Sequence, residues 1–348
     1  IRRRFPVRNV VSADNHIEII SQPALRQIFL NLHRRGTARC GNPNALRTKI
    51  SKNFPYAGHY AKMPRGFLRD VSEYVLHICA CIHRWMKLID DPECEIAAGT
   101  AAGSAECFFA RHAEIVGNLL YLRLECSTGD ASGHNMVTKA ADAALTWLLA
   151  EYPQLAYGSI SANYCTDKKT SAVNGILGRG KNVIAEITIP RRICERFLRT
   201  TPEQIVALNS RKNHLGGILA GSVRSANAHF ANILLAFYLA TGQDAANIIE
   251  GSQGIVHAET RDGDLYFSCT LPNLIVGTVG NGKGAALATV EVHLQALGCR
   301  EARPAGENAR RLAAICAATV LCGELSLLAA QTNPGELMRA HLALERRA

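Results

Sequence analysis

The side chains best suited to chemistry lie in residues 165–181, CTDKKTSAVNGILGRGK. Lys168 and Lys169 stand side by side behind Asp167, ahead of a turn punctuated by glycines. Adjacent like charges on a solvated loop are common and nearly neutral in energy. The same pair also suits a site that needs positive charge beside one oxygen atom, because a fixed cation in a dry site stabilises negative charge better than water does. The residue types leave both interpretations open.

Two glycine-rich segments have the composition of ligand-binding loops. Residues 128–136, TGDASGHNM, follow a predicted strand and open a predicted helix. In that setting the free backbone N–H groups of the helix attract anions such as phosphate. Residues 277–284, GTVGNGKG, follow another strand, and their glycines would let the backbone lie against a flat ligand. Each segment is also typical of an ordinary turn, so neither indicates a nucleotide site by itself.

Four further polar residues have both a functional and a structural interpretation. Asp244 follows a predicted helix, where a lone Asp is mostly solvated. His341 lies on the predicted C-terminal helix, where a lone His is more often structural than catalytic. Lys212 precedes a helix with many small residues, and Asn232 lies within that helix, where a buried amide would need hydrogen-bond partners. Taken singly, these residues do not indicate a site.

The elements that must position these residues are clearest after residue 90. Alternating apolar residues predict strands in LLYLRLECS, NVIAEITIP and DLYFSCTLP. A long helix is predicted from Asn135 to Tyr152, and another opens with Thr201 as its cap. Residues 216–244 are predicted to form one central helix, packed on all sides, that stops near Gly242. Two more helices are predicted in GENARRLAAICAATVLCGELSLLAAQ and ELMRAHLALERR.

The net charge of +10 comes from the first part of the chain. Residues 1–90 hold 16 Lys and Arg against 5 Asp and Glu, a charge of +11. The rest of the chain holds 23 against 24, a charge of −1. The basic segment lacks the interleaved aromatic residues of a platform on which bases stack. We therefore expect no nucleic-acid partner.

Length, hydropathy and cysteine content predict a soluble cytoplasmic protein. A chain of 348 residues is long enough for two domains. The apolar run 312–322 is shorter than the ~18 to 20 residues that cross a bilayer, so we expect no membrane segment. The N-terminus has no apolar signal segment. The 12 cysteines show no disulfide framework and no zinc spacing, so we expect no metal site and reduced, buried thiols, Cys316 and Cys322 among them.

Five long segments together resemble the catalytic domain of 3-hydroxy-3-methylglutaryl-CoA (HMG-CoA) reductase. They are STGDASGHNMVTKA, SANYCTDKKTSAVNGILGRGKNVIAEITIP, NHLGGILAGSVRSANAHFANILLAFYLATGQDAA, DLYFSCTLPNLIVGTVGNGKG and GENARRLAAICAATVLCGELSLLAA. The likeness extends from about Gly117 to His341. The TDKK and GRGK motifs are similar to those of the class I enzymes found in eukaryotes, archaea and some bacteria.

The resemblance implies a reaction and its catalytic residues. HMG-CoA would be reduced to mevalonate and free CoA by two successive hydride transfers from NADPH, within isoprenoid synthesis. By position, Lys168 would face the oxygen of the thioester carbonyl, and Asp244 would sit beside it and tune its pKa. His341 would protonate the departing CoA thiolate. NADPH is implied by the class, since no residue in this sequence identifies the group that would contact the 2′-phosphate.

The resemblance also implies two sets of binding residues. The acyl pocket would contain Ser161, Asp167, Lys169, Lys212 and Asn232, with the lysines pairing with the free carboxylate of the substrate. The cofactor would be met by Asp130, Ser132, His134, Asn135, Met136, Gly280, Asn281 and Gly282.

The fold implied by the resemblance is α+β. A large helical domain would surround a long central helix, with a small ferredoxin-like cofactor-binding domain inserted into it. Residues 1–88 would form the basic N-terminal part of the large domain, residues 89–160 the small domain, and residues 161–348 the substrate-binding and catalytic part. Active sites between subunits would require a homodimer or a homotetramer.

The N-terminal third departs from the family pattern. The segment that carries the family's N-terminal catalytic glutamate is not found, and Glu73 is the candidate to replace it. His134 stands where the family usually has methionine, and the loop at 277–284 carries Asn281 and Lys283 where glycine is more common. An alternative function therefore stays open, that of a catalytically inactive homologue that binds CoA or a nucleotide.

Overall fold

The structure, a computed structural model, describes residues 12–13, 108–153, 155–280 and 287–344. These residues belong to one unit of the chain and combine helices with antiparallel strands, which confirms the mixed α+β class. Glu73, Asn281, Gly282 and the boundary predicted at residue 88 lie outside the described residues.

The strands form a sheet and a separate hairpin. They are β1 (Ser12–Ala13), β2 (Phe108–Val116), β3 (Leu119–Cys126), β4 (Lys181–Ile189), β5 (Ile255–Arg261) and β6 (Asp264–Leu274). β2 and β3 pair as the hairpin, and the other four lie in the antiparallel order β1–β4–β6–β5. Every second residue of β6 from Leu265 to Leu271 is fully buried, because successive side chains of a strand point to opposite faces. β3, β4 and β6 were predicted, whereas β2 and β5, with their mixed polar and apolar residues, were not.

Helices and short helical turns connect and cover the sheet. In chain order the helices are α1 (His134–Glu151), α2 (Ala172–Leu177), α3 (Arg191–Ile193), α4 (Pro202–Asn209), α5 (Gly217–Leu219), α6 (Phe230–Ala240), α7 (Ile248–Gly251), α8 (Ala288–Ala296), α9 (Glu307–Gln331) and α10 (Glu336–Leu344). π-helical turns lie at Cys194–Leu198 and Ser210–Gly216, and a 3-10 turn at Ala245–Asn247. Thr201 caps α4 as predicted, because its side chain accepts the N–H of Gln204 while the Gln204 side chain accepts that of Thr201.

The long helix α9 lies in the core. It packs against β4, and Leu312, Cys316, Val320 and Leu328 are fully buried. Among the described helices it alone is long and apolar enough to cross a membrane, with a mean hydropathy of 2.0 over 18 residues, so the prediction that no segment reaches that length was wrong. Half of that window is buried inside the protein, as expected for a core helix. The apolar residues of α9 are accounted for by this packing in the core.

The single helix predicted over residues 216–244 is broken into α5 and α6. Gly221 (φ 70°) and Arg224 (φ 48°) adopt left-handed backbone conformations that end the first piece. The Asn227 side chain then donates to the carbonyls of Ser252 and Gly254, at 2.9 and 3.0 Å, which ties this connection to the segment before β5. As a result Asn232 lies in the first turn of α6, with an exposed side chain instead of the buried amide that the sequence analysis considered.

None of the seven cysteines in the described part of the chain forms a disulfide. Cys194, Cys269, Cys299 and Cys316 are buried, as predicted for the cysteines in general. Cys165 is exposed, against that prediction. Cys322 is also exposed, which corrects the prediction for that residue. It lies six residues after Cys316 on α9, which is about 240° around the helix axis, and so faces a different side.

Candidate active site

Lys168 and Asp244 form an ion pair, with 2.8 Å between Lys168 Nζ and Asp244 Oδ2. Lys168 lies in an irregular turn and has a left-handed backbone (φ 54°). Asp244 precedes the 3-10 turn Ala245–Asn247, and its Oδ1 accepts the N–H of Ala246 at 3.1 Å. Two residues from distant parts of the sequence therefore present one cation, with 35% and 37% of the two side chains still exposed.

The pairing keeps both groups charged. The hydrogen bond to Asp244 raises the pKa of Lys168, and partial burial opposes this only in part. Burial by itself raises the pKa of Asp244, but the hydrogen bonds from Lys168 and Ala246 outweigh it, so the net pKa lies below the ordinary value. At neutral pH the site therefore holds a fixed, partly exposed ammonium group.

A buried carboxylate lies behind this pair. Glu250 is fully buried, and its Oε1 accepts hydrogen bonds from Arg179 Nη1 (2.5 Å), Asn247 Nδ2 (2.8 Å) and the backbone N–H of Lys168 (3.1 Å). Arg179 also donates to Asp167 Oδ1 at 2.5 Å. The charge of Glu250 is therefore compensated by Arg179, as a buried carboxylate requires. The pair of Arg179 and Glu250 thus holds Asp167 by its side chain and Lys168 by its backbone N–H.

Arg179, Asn247 and Glu250 also belong to this site, although they were not predicted from the sequence. One signal was available for the last two. Asp244, Asn247 and Glu250 are spaced by three residues, which places polar side chains on one face of a helical segment. Arg179, in the GRGK motif, gave no such signal, because its buried partner Glu250 lies 71 residues further along the chain.

The two glycine-rich loops meet. Ala131 forms a parallel bridge with Val279, and the carbonyl of Asp130 accepts the N–H groups of Thr278 and Val279 at 2.7 and 3.2 Å. Gly133 (φ 83°) precedes α1, and a side chain there would collide with Thr128. Glycine is therefore required at this turn for both its backbone conformation and its lack of a Cβ.

Asp130 is engaged with the protein. Its Oδ2 accepts the N–H of Gly306 and its Oδ1 that of Ala309, both at 2.8 Å, at the start of α9. The carboxylate also compensates the positive end of the helix dipole. In the structure this side chain holds the 128–136 loop against α9, and its predicted contact with a cofactor stays a prediction.

His134 connects this loop to the lysine turn. It is the first residue of α1, and its Nε2 lies 3.7 Å from Asp167 Oδ1. That nitrogen is buried and has no hydrogen-bond partner in the ranges that the structure describes. Burial lowers the pKa of His134 below 6.5, although Asp167 acts in the opposite direction. A neutral imidazole therefore lies between the glycine-rich loop and Asp167.

The sequence model of the family described as Hydroxymethylglutaryl-coenzyme A reductase matches residues 94–346. The chain belongs to this reductase family. It is 51% identical over 234 residues to the 3-hydroxy-3-methylglutaryl-coenzyme A reductase of Pyrococcus horikoshii, an overlap of 67% of this chain and 56% of that protein. The reductase of Phycomyces blakesleeanus is 46% identical over 236 residues, which cover 67% of this chain and 20% of that protein. The chain therefore spans about half the length of the relative from Pyrococcus horikoshii and 20% of the length of the relative from Phycomyces blakesleeanus.

A solved structure of the same family shares the fold. The class II reductase of Streptococcus pneumoniae, bound to NADPH in open conformations, superposes with a TM-score of 0.50. The identity is 20%, and the match covers 72% of this chain and 64% of that one. At that identity the likeness supports the fold alone.

The remaining cofactor candidates of this reductase-family chain surround the start of α1 and the second loop. Ser132 and Met136 are half-buried and Asn135 is exposed. The N-cap of α1 is Gly133, which has no side chain to cap the helix, and no acidic residue lies in the first turn. Among the described residues, the first N–H groups of α1 are therefore left for an anion. Gly280 is exposed, with a left-handed φ of 65°.

The acyl-pocket candidates are only partly brought together. Lys169 Nζ donates to the Asp167 carbonyl at 3.0 Å, so these two lie with Lys168. Ser161 lies exposed on the preceding loop, where its N–H donates to Ser159 Oγ. Lys212 lies half-buried in the turn Ser210–Gly216. Within the described residues, no hydrogen bond or ion pair joins Lys212 or Asn232 to the lysine turn.

His341 lies on α10 with an exposed side chain. α10 packs against α9, and its Glu336 pairs with Arg199 at 3.3 Å. The catalytic role expected for His341 stays a prediction. No group of three or more His, Cys, Asp or Glu side chains that could hold a metal ion occurs in the described part of the chain.

Proposed function

We propose that this chain carries the catalytic residues of a reductase that converts HMG-CoA to mevalonate and free CoA with two hydrides from NADPH. The observation that carries the proposal is the 2.8 Å pair of Lys168 and Asp244, beside two joined glycine-rich loops, in a chain of this family. Hydride attack on a thioester carbonyl builds negative charge on its oxygen. A preorganised ammonium group stabilises that charge.

Asp244 would keep Lys168 in the charged form that the reaction needs. The pair keeps the ammonium protonated and fixes its position, so the reacting carbonyl would meet a cation that needs no rearrangement. The same ammonium would stabilise the alkoxide in the second reduction, that of the aldehyde. His341 would supply the proton to the CoA thiolate.

The described residues fit a dinucleotide cofactor. The N-terminus of α1, which has no capping side chain among the described residues, offers backbone N–H groups to a phosphate. The buried Nε2 of His134 has no hydrogen-bond partner among those residues and offers a polar contact close by. Ser132, Asn135, Met136 and Gly280 would complete the contacts. NADPH, when bound, supplies the hydride. The choice of NADPH is supported by the class I motifs and by the relative from Streptococcus pneumoniae, which was solved with NADPH.

We propose an acyl pocket completed by a second subunit. Asp167 and Lys169 lie beside Lys168, and Ser161 is on the adjoining loop, whereas Lys212 and Asn232 lack contacts to that loop among the described residues. Three apolar side chains next to Lys212 are strongly exposed: Leu215 (59%), Ile218 (75%) and Leu219 (89%). Apolar surface of this kind is typical of a contact between subunits. A homodimer or homotetramer would cover it and bring the missing residues to the site.

The detailed domain arrangement is part of the same proposal. A large domain would surround α9, and a small ferredoxin-like domain would occupy residues 89–160. The hairpin β2–β3 and the helix α1 fall within that range, which supports the assignment.

The test is NADPH oxidation by the purified chain with HMG-CoA, followed by absorbance. We expect turnover that Lys168→Ala abolishes while HMG-CoA binding, measured by calorimetry, is retained. The alternative is an inactive homologue that binds CoA or a nucleotide. It is favoured by one observation, that the family match begins at residue 94 and the N-terminal glutamate of the family is not found before it. Binding of HMG-CoA without turnover by the wild-type chain would favour this alternative.

A further inference from the structure

Two carboxylates of one helical segment hold Lys168 from opposite ends. Asp244 binds its ammonium group at 2.8 Å, and Glu250 accepts its backbone N–H at 3.1 Å. Both belong to residues 244–251, the 3-10 turn and α7 that follow α6. The distance between the two carboxylates is therefore set by a short rigid element, and Lys168 spans it.

The backbone of Lys168 needs such support. Its φ of 54° lies in the left-handed region, which residues with a side chain rarely adopt, and Thr166 nearby has a φ of 56°. A turn of this kind persists where the surrounding contacts determine it. The N–H of Lys168 is directed at Glu250 by this conformation, so losing that acceptor removes the contact that selects it.

The surroundings of Glu250 indicate a role in positioning. Its side chain is fully buried, and Oε1 receives all three donors while Oε2 has no partner among the described residues. Arg179 bridges Glu250 to Asp167, so the residue before Lys168 is tied to the same carboxylate. The contacts thus converge on the peptide between Asp167 and Lys168, away from the open side of the ammonium group.

We infer that Glu250 is a positioning residue, which fixes the left-handed turn so that the Lys168 ammonium reaches Asp244 and the reacting oxygen. The inference rests on the proposed reductase function for its catalytic consequence. Small misplacements of a catalytic group cost up to about 100-fold in rate. We therefore expect Glu250→Ala to lower kcat about 10- to 100-fold, while the KM for NADPH changes less than about 2-fold.

The conservative variant separates positioning from charge. Glu250→Gln keeps a carbonyl oxygen for the Lys168 N–H but removes the charge that pairs with Arg179. We expect it to retain at least about a third of the wild-type kcat if the N–H contact is what matters. Equal losses of kcat in Glu250→Gln and Glu250→Ala would overturn the inference, as would a wild-type kcat in Glu250→Ala.

A second measurement does not depend on activity. In the full chain labelled with 15N-lysine, the Lys168 amide resonance is identified by its disappearance in Lys168→Arg. We expect Glu250→Ala to shift this resonance upfield and to speed its hydrogen exchange by at least about 10-fold. Glu324→Ala is the matched control, because Glu324 is also fully buried and accepts backbone N–H groups, those of Ala228 and His229. It should leave the Lys168 resonance in place.

The outcomes distinguish this inference from the proposed function. If the wild-type chain oxidises no NADPH with HMG-CoA, the reductase proposal fails, and the amide shift alone then decides whether Glu250 positions Lys168. If the Lys168 resonance is unchanged in Glu250→Ala, or moves equally in Glu324→Ala, the positioning role is refuted even in an active enzyme.

Discussion

Asp244→Asn tests the central electrostatic contact, because it removes the charge and nearly preserves the shape. At 2.8 Å, the attraction of two unit charges is about 1.5 kcal/mol at the dielectric constant of water and about 6 kcal/mol at an effective value of ~20. Since both side chains are about a third exposed, we expect the loss to lie toward the lower bound, about 1.5 to 3 kcal/mol of transition-state stabilisation. This corresponds to a fall in kcat of about 10- to 150-fold.

The stability of the same variant should change little. Partly exposed ion pairs contribute about 0.2–1 kcal/mol to folding, and asparagine can still accept a hydrogen bond from Lys168. The assay is therefore kcat from NADPH oxidation, together with the free energy of unfolding from denaturant titration. Glu203→Gln, which breaks the exposed pair with Arg191, is the control and should change neither quantity by much. A wild-type kcat in Asp244→Asn, or a loss of stability large enough to explain the lost activity, would refute the reasoning.

Three further predictions concern the loop, the histidine beside it and the terminal helix. Asp130→Ala removes the acceptor for two N–H groups at the start of α9 and should lower the free energy of unfolding by about 1–2 kcal/mol, with a smaller loss in Asp130→Asn, as measured by denaturant titration. Burial lowers the pKa of His134, so the unfolded chain binds a proton there more readily than the folded chain does. The stability of the folded chain should therefore fall as the pH drops below about 6.5. Thermal unfolding of His134→Met should show a weaker fall with pH, and a pH profile identical to that of the wild type would contradict the lowered pKa of His134. His341→Gln should slow the reduction of HMG-CoA while sparing that of added mevaldehyde, and equal losses in the two assays would show that His341 does not act on the thiolate.

Local patterns in the sequence predicted several regular elements, β3, β4 and β6 among them, but not β2 and β5. The alternation in β6, the capping box at Thr201 and the apolar composition of α9 each depend on residues close in sequence. The break between α5 and α6 was missed for the opposite reason. It depends on Asn227 binding carbonyls about 25 residues away, and small residues such as those of 216–226 suit a helix or a turn equally well.

The resemblance predicted several residues of the candidate site, but the sequence did not predict which of them contact one another. The lysine turn, Asp244 and both glycine-rich loops were identified from their residues, but no periodicity relates Lys168 to an aspartate 76 positions later. Arg179 and Glu250 were missed because a buried ion pair is recognisable only once the two segments are in contact. Asp130 was assigned to the cofactor through the resemblance, and its contacts with α9 could not be predicted because they cross nearly 180 residues.

Contacts between distant segments of the chain repeatedly use one type of hydrogen bond. Among the described residues, a carboxylate accepts backbone N–H groups of a distant segment at four places: Asp130 at the start of α9, Glu250 at Lys168, Asp264 at Arg191, and Glu324 at Ala228 and His229 ahead of α6. Hydrogen bonds to a charged acceptor are stronger than neutral ones and have a defined direction. Apolar packing of the sheet against α9 can hold these segments near one another, but it does not fix a loop to a particular hydrogen-bond register. The carboxylates supply that register, and two of the four, Asp130 and Glu250, do so where the proposed cofactor and substrate would meet. The geometry of the site therefore depends on a few polar contacts that the hydrophobic pattern of the sequence does not encode.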